Sequence, residues 1–182
     1  ALEIASLTAL VPFTAGYYEV AVMFDYLTDI TGQAENPFLI ENLSSLLFSI
    51  KYLLYWVVGY SAFAFLLTFI REIIKDMEDI EGDKAFGGKT LPIVFGIDKA
   101  KIVAQLITVV TLLCILFVEA IQFMAKDWIS LAYFVVLITA PLIWVWYHIG
   151  TAKEKKHFFI ISQLIKVIML FGILYTILIY IF

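Results

Sequence analysis

Charge is what this sequence has least of. Only 15% of its 182 residues are charged, 63% are hydrophobic and the mean hydropathy is +0.99, too few polar residues to cover a water-soluble surface. The natural solvent is a bilayer. Cysteine is almost missing: the single Cys114 lies in an apolar run, which excludes an internal disulfide framework and leaves the reading of a small buried hydrophobe. Basic residues are few and form no interleaved patch, and with a net charge of -4 this excludes nucleic acid as a partner. No methionine precedes Ala1, and no positive leader with a small-residue cleavage site opens the chain, so the sequence reads as a fragment.

What is present in quantity is apolar runs of spanning length, which requires roughly 20 residues. They predict an all-α, polytopic transmembrane helix bundle of five spans: Ala1 to Phe24, Phe48 to Ile74, Ile102 to Met124, Trp128 to Ile149 and Phe158 to Phe182. Pro12 and Gly16 are expected kink or packing points in the first. A loop is expected from Asp25 to Glu41, punctuated by Gly32 and Pro37, with a short interfacial segment within 38–47. A tight turn at Ala125, Lys126 and Asp127 joins the third and fourth spans. Lysine and arginine crowd the connection between spans two and three and that between four and five, so both are expected on the cytoplasmic side.

The chemistry is expected between Arg71 and Lys101. Six acids fall within the twelve residues 72–83, and on an ideal helix Glu72, Asp76, Asp79 and Asp83 lie within roughly 60 degrees of one another. Like charges sharing one face toward the C-terminal end of a helix oppose both each other and the macrodipole. Such a cluster implies a cation. Mg²⁺ typically takes one or two protein carboxylates and fills its octahedron with water and phosphate oxygens, so phosphate is the expected co-ligand. Gly87, Gly88, Lys89 and Thr90 follow, a flexible backbone with a lysine and a hydroxyl suited to phosphate, and Arg71 and Lys75 add positive charge on the flank. Gly82 is a potential helix break within this pattern. The bland alternative is a solvated boundary loop.

Other polar residues carry weaker signals. Asp25 and Asp29 share the one-turn spacing but lack a glycine and lysine element, and read as a solvated outer loop. Lys166, with Ser162 and Gln163 a turn earlier, either snorkels or lines a polar interior that Gln105 would join. His148 and His157 lack ligand-like spacing and read as surface histidines. The many aromatics read mostly as interfacial belt or packing, with a few available to steady a carbocation.

The run Lys75-Asp76-x-x-Asp79-x-Glu81-Gly82-Asp83, followed by Gly88-Lys89-Thr90-Leu91-Pro92 and Gly96, resembles the second aspartate-rich motif of the UbiA superfamily of intramembrane prenyltransferases. With Arg71-Glu72 ahead of it, it looks most like the digeranylgeranylglyceryl phosphate synthase branch. The resemblance implies a nine-helix domain of which residues 1–182 are the C-terminal part, helices five to nine, with the first four helices missing. The family's first motif, Asn-x-x-x-Asp-x-x-x-Asp, has no counterpart here. It further implies Mg²⁺-dependent transfer of an isoprenyl group from a prenyl diphosphate to a lipophilic acceptor within a bacterial or archaeal cell membrane, the acceptor being geranylgeranylglyceryl phosphate in ether-lipid synthesis. Asp79 and Asp83 are then metal ligands and Asp76 a third or outer carboxylate, all three counted as catalytic. Lys89, Arg71 and Lys75 bind diphosphate. An aromatic or quinone-precursor acceptor is the alternative, and a non-catalytic membrane subunit that binds a cation or partner is the alternative of another class. This fragment alone is not expected to be active.

Overall fold

The computed structural model describes residues 1–32 and 37–181, with the side chains of 1–23, 25 and 53–178. All regular structure among the described residues is helical: α1 (Leu2–Gly32), α2 (Pro37–Glu78), α3 (Ile80–Ala85), α4 (Leu91–Phe95), α5 (Ile97–Met124), α6 (Trp128–Phe134), a π-helical turn (Val135–Thr139), α7 (Ala140–Thr151) and α8 (Lys155–Ile181). Among the described residues four stretches are long and apolar enough to cross a membrane, namely Leu53–Glu78, Ile97–Met124, Trp128–Thr151 and Lys155–Leu178. They fall on the second to fifth of the five expected spans, and the first expected run folds as α1, whose side chains are described only for 2–23 and 25.

The expected loop from Asp25 to Glu41 is corrected. α1 continues through Asp25 and Asp29 to Gly32, and α2 opens at Pro37 and absorbs the 38–47 segment. Proline suits the first position of a helix, where its missing N–H leaves no bond unmade. Asp25 is exposed, whereas the Asp29 side chain and the backbone of 33–36 lie outside the described residues.

The chain forms two compact units, Ser6–Phe65 and Ala1–Ala5 with Leu66–Phe182. Within the first, Gly16 lies so close to Val57 that an added Cβ would stand 2.2 Å from a valine methyl. It is the packing point expected of it. The Ser61 hydroxyl donates to the carbonyl of Val57 at 2.7 Å, returning a polar group to its own helix.

The second unit holds the site. α5 packs on α6 and α7, α7 on α8, and α4 on α5. Each helix buries one stripe at spacings of three and four: Leu67, Ile70, Ile74 and Met77 on α2; Ala100, Ala104, Thr108, Thr111 and Ile115 on α5; Ile138, Leu142, Val145 and Ile149 across the π turn and α7; Phe158, Ile161, Ile165 and Ile168 on α8. The stripe on α5 carries small side chains from Ala100 to Thr111, which lets neighbouring backbones approach, while Leu106, Leu113 and Phe117 face outward. Cys114 also faces outward, contrary to the buried role expected of it. Lipid is as apolar as leucine, so helices here associate through close fit rather than hydrophobic sorting.

Interhelical polar contacts complete the packing. Gln105 donates to the carbonyl of Trp146 at 3.2 Å and sits against Gly150, joining α5 to α7. Thr139 donates to an Oε of Glu119 at 2.6 Å, both side chains buried. Thr139 closes the π turn two residues before Pro141, whose ring cannot donate a helical bond and crowds the carbonyl a turn earlier. A widened turn there relieves the crowding. Ser162 is buried and bonds back to Phe159 at 2.9 Å, whereas Lys166 is exposed on α8, so the two do not line a common cavity.

The turn between α5 and α6 is tight, as expected. Lys126 takes a left-handed φ of 59°, and the N–H of Asp127 reaches back to the carbonyl of Gln122 at 2.9 Å, closing α5. Asp127 then caps α6, accepting from the Ser130 N–H at 3.1 Å. The Ser130 hydroxyl and N–H hold the Asp127 carboxyl below the usual carboxylate range. Asp127→Ala is therefore expected to cost about 1 kcal/mol, read as a lower melting midpoint in detergent. The folded carboxyl is the more acidic form, so this contribution is complete above the ordinary pKa of about 4 and disappears only as pH falls through the depressed value. The gap between wild type and variant should hold from neutral pH to about pH 5 and close below about pH 4.

Candidate functional site

The acidic run occupies the end of α2 and the whole of α3. α2 stops at Glu78, Asp79 turns with φ -103° and ψ 17°, and α3 starts at Ile80. Helical hydrogen bonds nevertheless run into and out of the bend: the Asp79 N–H donates to the Lys75 carbonyl at 2.9 Å and the Asp83 N–H to the Asp79 carbonyl at 3.0 Å. Lys75, Asp79 and Asp83 thus remain one turn apart on a continuous stripe. Gly82 lies inside α3, and the break falls at Asp79 instead.

The two glycines stop α3. Gly87 has φ +73°, a conformation that costs a side chain roughly 1–2 kcal/mol. Its N–H bonds to the Lys84 carbonyl at 3.2 Å, and the Gly88 N–H reaches the Asp83 carbonyl at 2.8 Å, the paired bonds of a Schellman cap. A Cβ on Gly88 would stand 3.0 Å from that same carbonyl oxygen. The glycines therefore fold the chain back against the backbone of Asp83, and Lys89 follows, exposed. Thr90 precedes α4, whose second residue is the buried Pro92.

The predicted cations are distributed unevenly. Lys75 pairs with Oδ2 of Asp79 at 3.4 Å and Arg71 pairs with Glu72, whereas Lys89 is exposed and in none of the ion pairs among the described residues. Oδ1 of Asp79 accepts from Lys155 at 3.1 Å. The Lys155 hydrogen bond, assisted by Lys75, outweighs partial burial and holds the Asp79 carboxyl below the usual range. Lys155 was not among the candidates. It lies 76 residues away in sequence, and its one available signal was electrostatic: Lys153, Lys155 and Lys156 crowd the start of α8, where the macrodipole disfavours cations.

Among the described residues no three of His, Cys, Asp and Glu come together closely enough to hold a metal by themselves. Mg²⁺ does not require three. The donors present are hard carboxylate oxygens, and two further oxygens of the same stretch of chain, Oε2 of Glu78 and Oγ1 of Thr90, are buried without a hydrogen-bond partner. Buried polar atoms are rarely left so. Hard oxygens of this kind, some of them unmatched, suit a hard cation shared with phosphate. His148 stacks on Trp144 with ring centroids 3.6 Å apart and, with His157, Ala152 and Ile161, lines a cleft between α7 and α8. His157 is exposed, as expected.

Residues 20–164 match the model of the UbiA prenyltransferase family. Among curated proteins the chain is similar to a digeranylgeranylglyceryl phosphate synthase of Methanosphaera stadtmanae, 38% identical over 63% of this chain and 40% of that protein. It is also 38% identical to one of Thermococcus sibiricus, over 55% of this chain and 34% of the relative. A third similar synthase, from Pyrococcus furiosus, is 52% identical over 31% of this chain and 21% of its own length. The match thus spans two-fifths or less of each of these relatives. No solved structure matches.

Proposed function

The chain belongs to the UbiA prenyltransferase family and is an integral membrane protein, and from that premise we propose that its acidic stripe is half of the diphosphate site of an intramembrane prenyltransferase. The reaction is transfer of a geranylgeranyl group to geranylgeranylglyceryl phosphate, the activity in the names of the similar proteins. The observation that carries the site is the unbroken turn placing Asp83 directly beyond Asp79, closed by the glycine cap that delivers Lys89. We place residues 1–182 as the C-terminal part of the family domain, because the family's first aspartate motif has no counterpart in them.

In this reading Asp79 and Asp83 hold Mg²⁺, with Asp76 as a third or outer carboxylate. Bound there, the ion would neutralise charge growing on the departing diphosphate. Lys89 and Lys75 add fixed positive charge to the same oxygens, and Arg71 does so if its pairing with Glu72 opens. As the bond from C1 of the prenyl chain to diphosphate breaks, the acceptor hydroxyl oxygen bonds to C1 and releases its proton. The excess of lysines at both connections supports a site on the cytoplasmic face of the cell membrane.

Lipid extracts of cells expressing the full-length protein test the acceptor. The proposal expects a second ether-linked prenyl chain on glycerol phosphate. Prenylated aromatics with no such ether lipid would keep the site and overturn the acceptor; no prenylated product would overturn the enzyme reading.

A further inference from the structure

Resting on that reading of the site, we propose that Lys155 is a diphosphate-binding residue, held on Asp79 until a metal ion displaces it. Both oxygens of the Asp79 carboxylate face an ammonium, Lys75 on one and Lys155 on the other. A metal that takes this carboxylate brings a further cation against both ammoniums and competes with them for the same oxygens. Lys75 stands one turn back on the same helical stripe, its side chain 41% exposed. Lys155 belongs to another helix, and its side chain is 70% exposed, so it is the ammonium free to move.

The charge on Lys155 runs against its own helix: it opens the N-terminal end of α8, where the macrodipole opposes a cation, while Asp79 sits between the C-terminal end of α2 and the N-terminal end of α3. Lys155 is therefore held there by the acids it meets, Asp79 first among them. Glu78 and Glu81 also act on Lys155, so an ammonium leaving Asp79 stays within an acidic neighbourhood. Diphosphate bridged to Asp79 by a metal brings its oxygens into that neighbourhood. A lysine ammonium, a compact charge on a flexible stem, suits phosphate oxygens whose position is set by another group. Lys155 thereby shields Asp79 in the empty site and shifts to substrate in the loaded one.

Lys155→Met in the full-length detergent-solubilised protein separates this role from a structural one. Mn²⁺ is titrated alone by electron paramagnetic resonance, and inorganic diphosphate is titrated at saturating Mn²⁺. The variant is expected to bind Mn²⁺ alone about two- to fivefold more tightly, the range set by loss of a competing exposed ion pair, and to bind diphosphate more weakly. Lys155→Arg should restore diphosphate binding, and the neighbouring Lys156→Met should change neither constant. Weaker Mn²⁺ binding, or tighter Mn²⁺ binding with diphosphate affinity unchanged, would overturn the proposal. Asp79→Asn with Mn²⁺ affinity intact would instead overturn the site itself.

Discussion

In the full-length protein, Asp83→Ala is expected to lower Mg²⁺-dependent prenyl transfer by on the order of 10²–10³-fold, the loss typical of removing one element of transition-state charge stabilisation. Among the described residues Asp83 has no ion pair, and it lies one turn beyond Asp79 on the stripe proposed to hold the metal. Its removal takes away a donor without freeing a lysine. The fold should be little affected, because the cap on α3 uses the backbone carbonyl of residue 83 rather than its side chain. Asp79→Ala should be at least as damaging to turnover, and it also releases Lys75 and Lys155. If Asp83 acts on the departing diphosphate, kcat falls more than KM rises. A rise in KM alone, with kcat maintained, would show that Asp83 binds substrate and transition state equally.

Thr139→Val should be the most destabilising conservative change in the bundle, at about 1–2 kcal/mol, the upper end of what interhelical hydrogen bonds contribute in membranes. The Thr139 hydroxyl is 2.6 Å from Glu119, both buried between α5 and the π turn. Valine fills the same space and leaves a carboxyl oxygen without its donor. Removing one partner of a buried pair costs more than removing both. The double variant Glu119→Leu with Thr139→Val should accordingly recover most of the loss, measured as unfolding midpoints in mixed micelles. A double variant no better than the sum of its parts would show that Glu119 has a task beyond Thr139.

The apolar runs mark the helices because crossing a bilayer requires length and hydropathy, both of which are composition. They do not mark which face turns inward. α5 is apolar nearly all round, and its buried stripe of Ala100, Ala104 and Thr108 is smaller and more polar than the outward Leu106 and Leu113, the reverse of the soluble pattern. Cys114 was misplaced for that reason. The loop expected at residues 25–41 was drawn too long: Gly32 and Pro37 do mark the ends of α1 and α2, but the polar residues around them, Asp25 and Glu41 among them, stay helical. Within the site, the spacing of Lys75, Asp79 and Asp83 was legible because four residues make a turn in any helix. Lys155 was not, since pairing across 76 residues depends on how α8 meets the end of α2. The glycines were legible as flexible backbone, but their use as the cap of α3 follows from the φ of Gly87 and the closeness of Gly88 to Asp83.

Binding of inorganic diphosphate to the full-length protein, with and without Mg²⁺, tests the site most directly. Wild type is expected to bind diphosphate only when Mg²⁺ is present, and the double variant Asp79→Asn with Asp83→Asn to lose that Mg²⁺ dependence together with most of its affinity. Diphosphate bound equally well by the double variant, or by wild type in the presence of a chelator, would contradict the assignment of the stripe as a metal and diphosphate site.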